Sequence, residues 1–118
     1  MAIAEIAAIN LDCDEPGVLA EFWAHLLGGR VVMESPDFCA VQVGPLVIGA
    51  IRVEDHRRPT WPDSDVPQQI HLDLRVDDLD SAVVEAIRLG ASDGPKQFTP
   101  ERSRVLLDPA GHPFCLRA

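Results

Sequence analysis

The sequence predicts an α+β fold made of two copies of one strand, helix and three-strand module. Three observations carry that expectation. The tetrapeptide Ile9-Asn10-Leu11-Asp12 returns, with one substitution, as Ile70-His71-Leu72-Asp73 about sixty residues later in a chain of 118. Each copy is followed by an acidic helix start and an amphipathic stretch that stops at a glycine, Gly28-Gly29 in the first and Gly90 in the second. Each helix is then followed by three short segments separated by turn residues. The modules span about 1–55 and about 69–118 and are joined by a linker of about 56–68. A duplicated fold of this kind creates a cleft between its halves.

Residues 4–12 read as a strand whose Ile9 and Leu11 share one face while Ala8, Asn10 and Asp12 share the other. Asp14 or Glu15 caps the next helix, Pro16 suits its first turn, and Val18, Leu19, Phe22, Trp23, Leu26 and Leu27 recur at helical spacing. Segments 30–34, 38–43 and 46–53 are rich in Val and Ile and are broken by Ser35-Pro36-Asp37 and Gly44-Pro45, so they form three antiparallel strands. Residues 54–68 carry three prolines among charged side chains, which excludes a regular element.

In the second module, Ile70, Leu72, Leu74 and Val76 alternate with His71, Asp73, Arg75 and Asp77, the pattern of a strand with one apolar and one polar face. Asp77 with Asp80 resembles a helix cap, and Leu79, Val83 and Ile87 form the apolar stripe. Strands near 94–98, 103–107 and 113–117 complete the unit, with Asp108-Pro109-Ala110-Gly111 as the last turn.

Composition narrows the function. The 118 residues suffice for one core without disulfides. Three cysteines without close pairing, and an N-terminus without a basic, long-apolar leader, point to the cytoplasm. No apolar run reaches the ~20 residues of a membrane span. The net charge of −9 repels phosphate backbones and anionic membranes, so neither nucleic acid nor a membrane is an expected partner. Nucleophile triads, phosphate-binding glycine loops and CxxC pairs are absent from the sequence.

The ordered set Asp12-Cys13, Glu15-Pro16, Leu19-Ala20-Glu21-Phe22-Trp23 and Leu27-Gly28-Gly29, then His71-Leu72-Asp73-Leu74, Asp77-Asp78-Leu79, Leu89-Gly90-Ala91 and Leu107-Asp108-Pro109-Ala110-Gly111-His112-Pro113-Phe114, covers nearly the whole chain. In this set the chain resembles the vicinal oxygen chelate superfamily, the glyoxalase, bleomycin-resistance and extradiol-dioxygenase group built from paired βαβββ modules. The resemblance implies a curved, mostly antiparallel sheet whose polar positions line a ligand cleft, and a homodimer.

It also implies where a metal would bind: one ligand on the first strand and one on the last strand of each module. In the second module these positions are His71 and Cys115, the latter in place of the usual glutamate. In the first module they fall on Ala8 or Asn10, depending on the alignment, and near Gly49. A catalytic divalent ion needs about three protein ligands and an open position. His71 and Cys115 supply two, so no metal cofactor is expected, and His71 is the one weak metal candidate.

The ligand-binding candidates are therefore His71, Asp73, Asn10, Asp12, Trp61 and Cys115. His71 is either a polar contact in the cleft or a histidine satisfied by Asp73 or Asn10. Cys115 shares a face with Arg117 and is otherwise a small core filler. Trp61 either covers a ligand or pins the linker down. Cys13, Cys39 and Trp23 read as core, and His25, His56 and His112 as surface, loop and turn residues. The expected function is metal-independent binding of a small organic molecule, with no catalytic residue assigned. The alternatives are a metal-dependent lyase, isomerase or dioxygenase of the glyoxalase type, and a structural module that pairs through strand edges.

Overall fold

Strand β1 (Ala8–Cys13) opens the first half of the chain, followed by α1 (Pro16–Leu27), β2 (Arg30–Glu34), β3 (Phe38–Val43) and β4 (Leu46–Arg52). The second half repeats the order with β5 (Leu72–Arg75), α2 (Leu79–Leu89), β6 (Ser92–Asp93), β7 (Ser103–Leu107) and β8 (Pro113–Arg117). The computed structural model describes residues 2–118, which divide into two units, residues 2–56 and residues 57–118. Each unit has its own four-stranded sheet, ordered β1-β4-β3-β2 and β5-β8-β7-β6. In both, the first strand runs parallel to the last and the other neighbours are antiparallel. The fold class is α+β, as the duplicated pattern predicts, with one sheet per module.

In the first unit the helix stripe and the inner sheet face make the core. Leu19, Phe22 and Trp23 of α1 are buried with Val41, Ile48, Leu11 and Cys13, and the Phe22 and Trp23 rings meet edge to face at 5.3 Å. Pro16 starts the helix, where its missing N–H costs nothing, and Gly28 ends it with φ +67, a left-handed conformation that favours glycine. Glu15 occupies the cap position without a side-chain hydrogen bond. Strand β1 begins at Ala8, so residues 4–7 of the expected strand lie outside it.

In the second unit Leu106, Phe114 and Leu116 are buried with Val83 and Ala86 of α2. Four local expectations are corrected there. The cap is Asp78, whose carboxylate accepts from Ser81 N at 3.0 Å, rather than Asp77 with Asp80. The buried line of α2 passes through Val83 and Ala86, three residues apart on one helix face, leaving Ile87 41% exposed.

The strand expected at 94–98 lies instead at Ser92–Asp93. Pro95 lacks a backbone donor, so the ladder cannot continue through it. Gly94 N still donates to Val105 O at 2.9 Å, and beyond it the Gln97 side chain bonds the same residue, its amide donating to Val105 O and its oxygen accepting from Val105 N, each at 2.8 Å. Strand β5 likewise begins at Leu72, leaving Ile70 and His71 just before it.

The two modules align better by structure than by their shared tetrapeptide. Helix α1 starts eight residues after Ala8, and α2 starts eight residues after His71. The ladders agree: Asn10 pairs with Gly49, and Asp73 pairs with Cys115. The counterpart of His71 is therefore Ala8, that of Asp73 is Asn10, and that of Cys115 is Gly49. The repeated tetrapeptide is offset by two residues, which preserves the strand face and so hides the shift.

Candidate functional site

The polar face of the second unit's sheet carries the chemistry. Parallel pairing of β5 with β8 sets Asp73 opposite Cys115, while antiparallel pairing of β7 with β8 sets Ser103 opposite Arg117 and Val105 opposite Cys115. The alternate positions Phe114 and Leu116 go to the core, so Cys115 and Arg117 necessarily project to the other face, with Asp73 and Ser103 beside them.

His71 joins this row from the residue preceding β5. Its Nε2 lies 3.4 Å from Asp73 Oδ1, and its Nδ1 lies 2.8 Å from Gln68 Oε1. Gln68 Oε1 can only accept, so Nδ1 is the donor in that bond, and Nε2 is the nitrogen turned toward Asp73. Arg117 approaches the other oxygen of Asp73 at 3.9 Å.

Trp61 sits against His71, the two rings edge to face with centroids 5.5 Å apart, and Phe98 lies 5.6 Å from Trp61 on a tilted plane. A compact loop presents the indole. Thr60 and Val66 exchange hydrogen bonds, Thr60 N donating to Val66 O and Val66 N to Thr60 Oγ1, and Asp63 N donates to Thr60 O. The proline-rich segment is thus locally ordered around Trp61, and His71 retains a side-chain exposure of 20% beneath it.

A cavity of about 340 Å³ opens beside the cluster, lined among others by Asp73, Thr99, Arg102, Ser103, Cys115 and Arg117. Burial pushes the Cys115 thiol above its ordinary value, and the neighbouring Asp73 carboxylate adds to the shift, with Arg117 acting the other way. Cys115 is therefore a neutral thiol near pH 7, half-buried rather than a core filler.

The donor atoms of His71, Asp73 and Cys115 all lie within 4.8 Å of one another. They give one nitrogen, one oxygen and one sulfur from a single unit, a set that suits zinc with a fourth position open. The outer bond from His71 Nδ1 to Gln68 is also the arrangement that orients a metal-binding imidazole. The residues therefore fit a divalent ion. The sequence indicates two ligands, His71 and Cys115; the β5–β8 ladder adds Asp73 by setting it opposite Cys115.

The other candidates are placed as follows. Asn10 and Asp12 are exposed on β1 in the first unit. Asn10 covers Gly49 there: a Cβ on Gly49 would come within 2.1 Å of Asn10 Oδ1. The first module thus has an amide over its glycine where the second has a carboxylate beside a thiol. Cys13, Cys39 and Trp23 are buried, as expected. His25 is on the surface of α1, 3.6 Å from Glu21.

Sequence reasoning passed over Gln68, Phe98, Thr99, Arg102 and Ser103. Ser103 was legible as an alternate position of β7. The others lie in irregular segments, where no periodicity indicates which way a side chain points.

A family model for the glyoxalase-like domain matches residues 8–117. Among solved structures the chain is similar to a glyoxalase/bleomycin resistance protein/dioxygenase family enzyme from Burkholderia phytofirmans, with 21% identity, a TM-score of 0.70, and 96% of this chain and 97% of that chain covered. It is similar to the bleomycin-binding protein of Streptomyces verticillus, solved with copper(II)-bleomycin, with 21% identity, a TM-score of 0.62, and coverage of 100% and 98%. It is also similar to the fosfomycin resistance protein FosX from Mesorhizobium loti, with 15% identity, a TM-score of 0.71, and coverage of 98% and 92%. No curated protein sequence matches. The match along nearly the whole chain, together with the duplicated strand order, establishes that the chain belongs to the glyoxalase-like domain family of the vicinal oxygen chelate superfamily.

Proposed function

We propose that the protein binds a small organic molecule on the polar face of its second module, with Trp61 and Phe98 as an apolar wall and His71, Asp73 and Cys115 as polar contacts. The observation that carries this reading is the contact of Trp61 with His71 beside an open cavity. An aromatic side chain placed next to a few convergent polar groups is the usual makeup of a small-molecule site. The bleomycin-binding relative lends support, since it holds a small molecule on the same fold. A homodimer in the cytoplasm belongs to the same proposal, and light scattering checks the oligomeric state.

A thermal-shift screen of small organic molecules tests the binding. A ligand at ten times its dissociation constant stabilises by about 1.4 kcal/mol, which raises Tm by roughly 5 °C in a chain of this size. Stabilisers are expected, and their effect is lost in His71→Ala and Trp61→Ala. A broad library without any stabiliser would contradict the reading.

The donor set of His71, Asp73 and Cys115 favours a second reading, a divalent metal centre. A bound ion would supply Lewis acidity toward a carbonyl or hydroxyl of the ligand. His71, Asp73 and Cys115 would then hold it, with Gln68 fixing the imidazole and Arg117 beside Asp73. Elemental analysis of purified protein separates the readings: stoichiometric metal, lost in both His71→Ala and Cys115→Ser, supports the centre, and metal-free protein that binds ligand without added ion removes it.

A further inference from the structure

The cavity beside the cluster is lined by two arginines. Arg102 and Arg117 present their guanidinium groups there beside the Asp73 carboxylate and the last residue of the sequence, Ala118. Arg102 has no ion pair among the described residues, and Arg117 reaches Asp73 only at 3.9 Å. Much of the hydrogen-bonding capacity of these two forks is therefore unspent.

Two hydroxyls stand between them. Ser103 is the ladder partner of Arg117, and its Oγ lies 3.3 Å from Thr99 Oγ1. In such a pair one hydroxyl donates to the other, and the second keeps a free O–H for a ligand. The backbone fixes the set in place: Arg102 N and Ser103 N both donate to Thr99 O at 2.9 Å, folding residues 99–103 into a turn that delivers all three side chains to the cavity.

We propose that this cavity receives the oxyanion end of the ligand, a carboxylate, phosphonate or phosphate, held by Arg102 and Arg117 with a hydroxyl of the Thr99 and Ser103 pair. The inference rests on the small-molecule reading above and specifies its substrate class. The ligand's apolar part then extends past Asp73 and Cys115 toward His71 and Trp61. Arginine is suited to this task because its planar fork matches an oxyanion in two-point contact. Placing the anion here also accounts for the long Arg117 to Asp73 separation, since a weakly held arginine is free to turn to a ligand.

An amide-resolved NMR titration at low salt tests the assignment with four probes: inorganic phosphate, methylphosphonate, phenylphosphonate and the neutral phenylacetamide. Phenylphosphonate is expected to give saturable shifts at Thr99, Ser103, Cys115 and Arg117, with binding at least tenfold tighter than phenylacetamide. Inorganic phosphate and methylphosphonate shift the same amides with weaker affinity, which identifies an organic anion rather than free phosphate as the preferred occupant. Arg102→Gln and Arg117→Gln each weaken phenylphosphonate binding by about tenfold, whereas Arg88→Gln on α2, where the guanidinium is paired with Glu85, leaves it unchanged. Equal affinity for charged and neutral probes, or arginine variants that bind like the parent, would overturn the oxyanion inference. Neutral compounds whose binding depends on Trp61 would leave the small-molecule site standing without it. Silence from every probe, together with an empty library screen, would remove both.

Discussion

Asp73 and Cys115 are partners across the parallel β5 and β8 ladder, so a carboxylate and a thiol stand side by side on the polar face of the second sheet. Burial and the Asp73 charge together hold the thiol above its ordinary value of 9.0. Titration of thiolate absorbance near 240 nm should therefore show Cys115 ionising late. Asp73→Asn lowers that midpoint by removing a repelling charge, and Arg117→Gln raises it by removing an attracting one. The stability consequence follows in sign. An unfolded chain loses this proton near 9.0 while the folded chain keeps it, so stability is full below pH 9 and declines as the pH rises above it. Unshifted ionisation in Asp73→Asn would contradict the proposed neighbourhood.

Asp108 fixes the last turn before β8. Its buried carboxylate accepts from Ala110 N and His112 N through the same oxygen, each at 2.9 Å. Asp108→Ala strands two backbone donors and should cost about 2–4 kcal/mol in denaturant unfolding. Asp108→Asn retains an acceptor oxygen and should cost under about 1 kcal/mol. Equal losses in the two variants would show that charge, rather than the accepting oxygen, organises the turn.

Gly49 leaves room for the side chain of Asn10, its ladder partner. Gly49→Ala would place a methyl 2.1 Å from Asn10 Oδ1 and 3.0 Å from Phe38 Cε1. The substitution should destabilise by about 1–3 kcal/mol through overpacking. Truncating Asn10 to alanine in the same chain should restore part of that loss, because the nearest clash disappears. A double-mutant cycle measures the coupling, and strict additivity of the two changes would contradict the contact.

Asp78 caps α2 through Ser81 N, and that hydrogen bond holds its carboxyl below the usual value of 3.8. The cap therefore contributes above pH 3.8 and fades as the pH falls through the folded value. Asp78→Ala should lower Tm at pH 7 and match the parent in strong acid. A Tm difference that persists at pH 2 would mean the loss has another origin.

Much of this fold is legible without coordinates. Strands 30–34, 38–43, 103–107 and 113–117 fall where alternation and turn residues place them, and the stops at Gly28 and Gly90 hold. The misses have specific causes. Pro95 interrupts a segment whose composition suits a strand, and the Gln97 side chain bonds Val105 N and O beyond it. The repeat of Ile-x-Leu-Asp suggested matching His71 to Asn10, but a two-residue offset in a strand leaves the facing unchanged, and only helix starts and ladder partners reveal it. For the site, His71, Asp73 and Cys115 were legible as one face of two strands. Gln68, Phe98 and Arg102 were not, because irregular backbone carries no period from which to read direction.

Tryptophan fluorescence tests the proposed binding site most directly. Trp23 is buried in the core of the first unit, and Trp61 is half-exposed against His71 in the second. Titration of the strongest stabiliser from the screen should change the emission of the parent protein. The same titration of Trp61→Phe, which keeps an aromatic wall and leaves Trp23 as reporter, should show no emission change while calorimetry still records binding, weakened severalfold. An emission change that survives in Trp61→Phe, or calorimetric affinity untouched by Trp61→Ala, would place the ligand elsewhere.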